Sequence, residues 1–241
     1  MKRIRLSTGP AALFGAMLVV ALIVFLPMRL VLGMAGAGEQ GLRARSVTGT
    51  IWGATLSEAR FGDLAVGDLR ARLSPLALFV GRASLSLEGP GSIGAPPLSG
   101  DAFVSRHGFG VGNITGRVAT GRVFQPLPVT GIDLEDLTVR FEDDRCKAAE
   151  GRVRALLSGE VAGIGVPPSV AGVARCDAGA LLLPLSGPAG TEVVNLRITG
   201  NGRYAAELAV RPADAVAAQR LEAAGFVNGP NGYALSVEGG F

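Results

Sequence analysis

Between residues 11 and 28 the chain reads AALFGAMLVVALIVFLPM without a single charged side chain, and from residue 46 it changes to short alternating stretches. Eighteen helical residues rise about 27 Å, enough for the hydrocarbon core of a bilayer. Lipid offers backbone groups no hydrogen-bond partners, so a lone span takes the form of a helix. Lys2, Arg3 and Arg5 precede the run, and basic residues stay on the cytoplasmic side. The pattern predicts a cytoplasmic tail over 1–10, a signal-anchor helix over 11–32 and a β-rich domain over 38–241 on the far side. A cleaved signal peptide is the competing reading, with Ala35-Gly36-Ala37 as its small-residue site. Against it, the apolar run exceeds a signal core, and Arg29 stands between run and site.

Beyond residue 46, polar and apolar side chains alternate with period two, the mark of strands with one buried face. RVRALLSGEV sets Val153, Ala155, Leu157 and Val161 on one side. LTVRF does so with Leu137, Val139 and Phe141, and VNLRIT with Val194, Leu196 and Ile198. RYAAELAV aligns Tyr204, Ala206, Leu208 and Val210. Turn residues return every 8–12 positions or so, as in a meander or sandwich. Two helices interrupt this. One runs from Ser74 as N-cap through Pro75 to Gly81, the other from Pro212 to Gly225 with Ala217, Leu221 and Ala224 toward the sheet. The expected fold class is mainly β: an N-terminal transmembrane helix, then an antiparallel sheet, curved or sandwich-like, with one or two short helices.

The only tryptophan, Trp52, lies in SVTGTIWGATL between Gly49 and Gly53. Glycines there permit a hairpin or bulge, and the indole supplies a large apolar body with one N–H that needs a partner. Trp52 reads as a packing anchor rather than a ligand-stacking residue.

Charge changes the picture little. The pI of 9.3 comes from the N-terminus. From Glu39 onward nineteen basic residues face twenty acidic ones, so no basic field exists to neutralise phosphates, and nucleic acid is excluded as a partner. Cys146 and Cys176 form an even pair in an oxidising compartment, which predicts a disulfide; two buried free thiols are the alternative.

The chemistry of an enzyme is missing from the inventory. His107, the sole histidine, sits in a Gly-rich turn, and two cysteines plus one histidine fall short of a tetrahedral metal set. GFGVGN over 108–113 lacks the spacing and strand-to-helix context of a phosphate loop. Glu142-Asp143-Asp144-Arg145 lacks the spaced ligands of a calcium loop and reads as a solvated turn. The expectation is no catalytic residue, no cofactor and no metal.

An N-terminal anchor followed by VTGTIWGATL and then LRARLSPLALFVGRASLSLEG resembles the type II secretion system protein N family. The matching residues are Val47, Gly49, Trp52 and Gly53, then Leu73, Pro75, Leu78 and Gly81. CKAAEGRVRALLSG, CDAGALLLPLSG and the closing GNGRYAAELAVRP and LEAAGFVNGPNGYALSVEGGF extend the likeness over most of the chain. The resemblance implies a single-pass bacterial inner-membrane protein with a periplasmic bulk. Its role would be that of a non-enzymatic accessory to other inner-membrane secretion components in the export of folded proteins. The W-x-G turn and L-x-P-x-x-L-x-x-G element are also similar to pieces of AsmA-type envelope proteins, which implies a lipid bound in an apolar groove of the sheet. A β-rich envelope scaffold of no assigned pathway is a third reading.

Overall fold

The computed structural model describes residues 9–34, 41–62, 64–79, 81–90, 96–121, 123–161, 163–230 and 232–240. Lys2, Arg3, Arg5 and the Ala35-Gly36-Ala37 site lie outside them. The apolar run forms α1 (Gly9–Val24) and α2 (Met28–Met34), parted at Pro27, which bridges to Thr50. A proline cannot donate its nitrogen to a preceding turn, so one helix across 11–32 gives way to two. No helix among the described residues is long and apolar enough to cross a membrane. The 16 residues of α1 rise about 24 Å. Large side chains such as Phe14, Met17, Leu22 and Phe25 stand exposed along it.

The rest is sheet. β1 (Leu42–Arg43) and β2 (Ser46–Thr50) run in line along β3 (Gly53–Phe61), and β4 (Leu64–Leu73) follows. After α3 (Pro75–Phe79) come β5 (Arg82–Glu88), β6 (Ser99–Ser105), β7 (Gly108–Ala119), β8 (Val129–Glu142) and β9 (Arg145–Leu157). A separate ribbon is made by β10 (Glu160–Val161) and β11 (Ile164–Gly165). β12 (Ser169–Val173) and β13 (Arg175–Asp177) lie in line along β14 (Ala180–Ser186), then β15 (Glu192–Ile198) and β16 (Arg203–Val210). After α4 (Ala215–Ala223) and β17 (Val227–Gly229), β18 (Gly232–Gly240) returns beside β16. Sixteen of these strands make one antiparallel sheet, mostly a meander. The expected strand over 152–161 stops at Leu157, because Gly159 takes φ +90° and turns the chain.

Alternation sets the faces as expected. Val153, Ala155 and Leu157, Leu137, Val139 and Phe141, Val194 and Leu196, and Tyr204, Ala206, Leu208 and Val210 are all buried in one cluster. The opposite face is polar; there Arg117 forks onto Asp133, with Nη2 to Oδ2 at 2.8 Å. Helix α4 starts later than expected. Asp214 is its N-cap, accepting from the Ala217 nitrogen at 2.7 Å. Leu221 is wholly buried, but Ala224 is exposed, because it sits at the C-cap past the last inward turn.

A line of irregular residues crosses the sheet. Gly100 in β6 has φ +149°, Asn113 in β7 and Asp136 in β8 have φ +51°, and Gly151 in β9 has φ +112°. The ladder register shifts at each crossing. The bulges are stitched by side chains: Asn113 N donates to Thr138 Oγ1 (3.1 Å), and Asp136 N to Thr115 Oγ1 (3.0 Å). The Ala174 nitrogen, in the gap between β12 and β13, donates to Gly151 O at 3.0 Å. Bulges in successive strands bend a sheet in one direction. The bend brings Ile132 of β8 and Ala206 of β16 to line one cavity, though four strands separate them in the sheet order.

Candidate functional site

The motif residues between Val47 and Gly81 gather at one corner, apart from the two cysteines. β2 and β3 pair Thr50 with Gly53, leaving Ile51 and Trp52 as a two-residue hairpin loop. Gly49 has φ +100°, and a Cβ there would come within 2.3 Å of Gly53 O, so only glycine fits. The Trp52 indole Nε1 donates to Ile23 O at 3.2 Å. Ile23 carries one of the last carbonyls of α1, which have no partner within the helix, and the indole serves as a cap. Ile51 N donates to Leu26 O, and Leu73 N to Ile51 O, each at 3.1 Å. Met28, Ile51, Ala54, Leu56, Ala59, Leu69 and Ala71 form a small core there, with Val47, Trp52 and Leu73 packed against it.

The second half of the pattern follows directly. Pro75 opens α3, where its missing N–H costs nothing. Gly81, at φ +72°, ends the turn with its nitrogen on Leu78 O at 3.0 Å. Val47, Gly49, Trp52, Gly53, Leu73, Pro75 and Gly81 thus build one joint between helix, hairpin and α3, while Leu78 is largely exposed.

Cys146 and Cys176 are joined by a disulfide, far along the sheet from this joint. It ties the start of β9 to β13, and Cys146 N donates to Gly179 O at 2.8 Å. An open depression of about 340 Å³ lies beside it, lined by Asp144, Arg145, Arg197 and Asn201 together with Ala178 and Ala180. Arg197 there is paired with Asp177 at 2.7 Å. Among the described residues no three His, Cys, Asp or Glu side chains converge as a metal set. GFGVGN is part of β7, and Asp143-Asp144 is the β8–β9 turn.

From β8 to β16 the apolar face is covered, while at the β1–β3 end an opening of about 160 Å³ remains between Leu32, Leu42, Val47 and Leu56. The segment between β7 and β8 folds across the covered part, burying Phe124 and Leu127. Phe124 packs edge-on against Tyr204 with centroids 5.4 Å apart, and Tyr204 Oη donates to Val123 O at 2.5 Å. Thr120, buried beneath, donates to Val129 O at 2.7 Å. A cavity of about 20 Å³ remains between plug and strands, room for one water and not for an acyl chain. Sequence reasoning missed this plug; FQPLP, apolar and flanked by prolines, was the available signal.

The open feature is backbone. β17 pairs with β18 only over Gly232–Ala234, so among the described residues no strand lies on the outer side of Leu235–Gly240. At the opposite margin β1 and β2 form the other edge, covered near Thr50 by Pro27. Unpaired N–H and C=O groups at a sheet edge accept a further strand.

No curated protein and no solved structure matches the chain. The family model of type II secretion system (T2SS) protein N matches residues 40–236, from just before β1 into β18. With the Trp52 hairpin, α3 and all the strands up to the first half of β18 inside that match, the chain belongs to the type II secretion system protein N family.

Proposed function

We propose that this chain is a non-enzymatic accessory of the type II secretion machine that works through protein contacts of its periplasmic sheet. Helix α1 holds it in the inner membrane with the N-terminus cytoplasmic. Family membership supplies the pathway. The observation that carries the contact reading is the contrast between an apolar face covered from β8 to β16 and a β18 edge unpaired among the described residues. A partner's extended segment adding to Leu235–Gly240 gains main-chain hydrogen bonds with little rearrangement. The exposed Ser236 and Glu238 would then select its side chains.

Anchoring is supported by α1 being apolar on every side and by Phe14, Met17 and Phe25 lying in the open. A helix apolar all round belongs in a protein core or in lipid, and no core covers this one. Deleting the gene in its native host and measuring secretion tests the role. Folded exoproteins should accumulate in the periplasm, and the full chain should restore export; unchanged secretion would refute it.

A further inference from the structure

We infer that α3 is a second membrane foot, its leucines inserting into the interface of the bilayer that holds α1 while neighbouring arginines meet anionic headgroups. The inference rests on the anchoring reading above.

Connectivity places α3. The Trp52 indole holds Ile23 near the end of α1, Ile51 O accepts from Leu73 N, and Pro75 opens α3 two residues later. Strand directions agree: β3 leaves the hairpin end, β4 returns to it, and β5 leaves it again. The end of α1, the Trp52 turn and α3 therefore share one end of the sheet. Trp52 stands at the level where tryptophans line membrane interfaces.

Composition then assigns the occupant. Leu76 is 77% exposed and Leu78 44%, while Phe25 at the foot of α1 is 73% exposed. Between Leu69 and Leu87 the chain carries Arg70, Arg72 and Arg82 and no acidic residue. Arg72 and Arg82 flank α3, and Arg106 lies in the β6–β7 turn next to Ser105, the partner of Arg82. All three are exposed, and none forms an ion pair with another described residue; Arg82 rests over the Phe103 ring at 5.4 Å. The acidic turn Glu142-Asp143-Asp144 lies beyond Arg106, with Asp143 N on His107 O at 3.0 Å, so the positive patch is confined to α3 and its flanks, and a short apolar element flanked by Arg72 and Arg82 fits an anionic lipid surface. It also explains why Leu78, at a position of the recurring motif, faces outward.

The test uses the full chain in vesicles of phosphatidylethanolamine and phosphatidylglycerol. Both native cysteines are disulfide-joined, so one added cysteine accepts a single fluorophore, at Leu76→Cys, Val24→Cys or Val227→Cys in turn. Lipids with a nitroxide at headgroup or acyl depth quench what they reach. The expected result is several-fold stronger quenching at Leu76 than at Val227, on β17 at the other end of the sheet. That quenching should fall several-fold without phosphatidylglycerol or in R82Q/R106Q. Strong quenching at Val24 with Leu76 no better than Val227 would overturn the α3 foot and leave the anchor standing. No quenching at Val24 would overturn the anchor, and the foot with it. Quenching at Leu76 indifferent to phosphatidylglycerol would overturn the headgroup contact.

Discussion

The indole of Trp52 donates to the carbonyl of Ile23 across 3.2 Å, so the first hairpin of the sheet caps the helix that precedes it. Trp52→Phe keeps most of the ring and loses this bond. We expect a loss of about 1 kcal/mol, the usual net worth of one hydrogen bond. The more telling readout is protease sensitivity of residues 24–50 in the reconstituted chain, which should rise in Trp52→Phe and rise further in Trp52→Ala. An unchanged cleavage pattern would mean that Trp52 does not hold the joint and that its main-chain bonds, Ile51 N to Leu26 O among them, suffice.

The Cys146–Cys176 bond closes a 30-residue separation. Loop-closure entropy puts its contribution at about 3–4 kcal/mol. Cys146→Ser should lower the stability correspondingly and steepen the denaturant slope, because the unfolded chain without its cross-link exposes more surface. Non-reducing mass spectrometry of protein taken from its native envelope should show the two peptides linked.

Gly151 tests the bend line. Its φ of +112° and the 2.6 Å separation between an added Cβ and Asp136 O forbid any side chain without backbone movement. Gly151→Ala should cost about 2 kcal/mol or more, whereas Gly165→Ala, with open space around it, should cost far less. Comparable losses at both positions would refute a bend specified at β9.

Phe124 tests the plug. Truncating it to alanine removes a buried ring from the covered face, at a cost of about 3–5 kcal/mol. The wild-type sheet should hold no acyl lipid between plug and strands, whatever lipid α1 retains on purification. Stoichiometric lipid in native mass spectrometry, released on opening the plug, would restore the groove reading.

Alternation made the strands readable because each carries one apolar face, and every inward residue assigned in 137–141 and 204–210 is buried. The hairpin at Trp52 was readable for a similar reason, since Gly49 marks a close backbone approach, whereas Gly53 has open space around it. The partner of Trp52 was not, because nothing local in the sequence ties residue 52 to residue 23. The bend line escaped notice as well. Asn113 and Asp136 are ordinary strand interruptions until the register places them on either side of the Ile114–Leu137 pair. Ala224 was misplaced because a helical wheel does not show where the helix stops, and Asp214 rather than Pro212 sets its start. The split of the apolar run at Pro27 was written in the sequence but underweighted, since an uninterrupted hydropathy run hides a proline near its end.

The central claim, action through protein contacts at the β18 edge, is tested most directly by photo-crosslinking in living cells. Probes at Ser236 and Glu238 should give discrete adducts to other inner-membrane secretion components, while a probe at Arg152, exposed on β9 in the middle of the sheet, should not. Adducts to lipid alone, or none from either edge position, would contradict it.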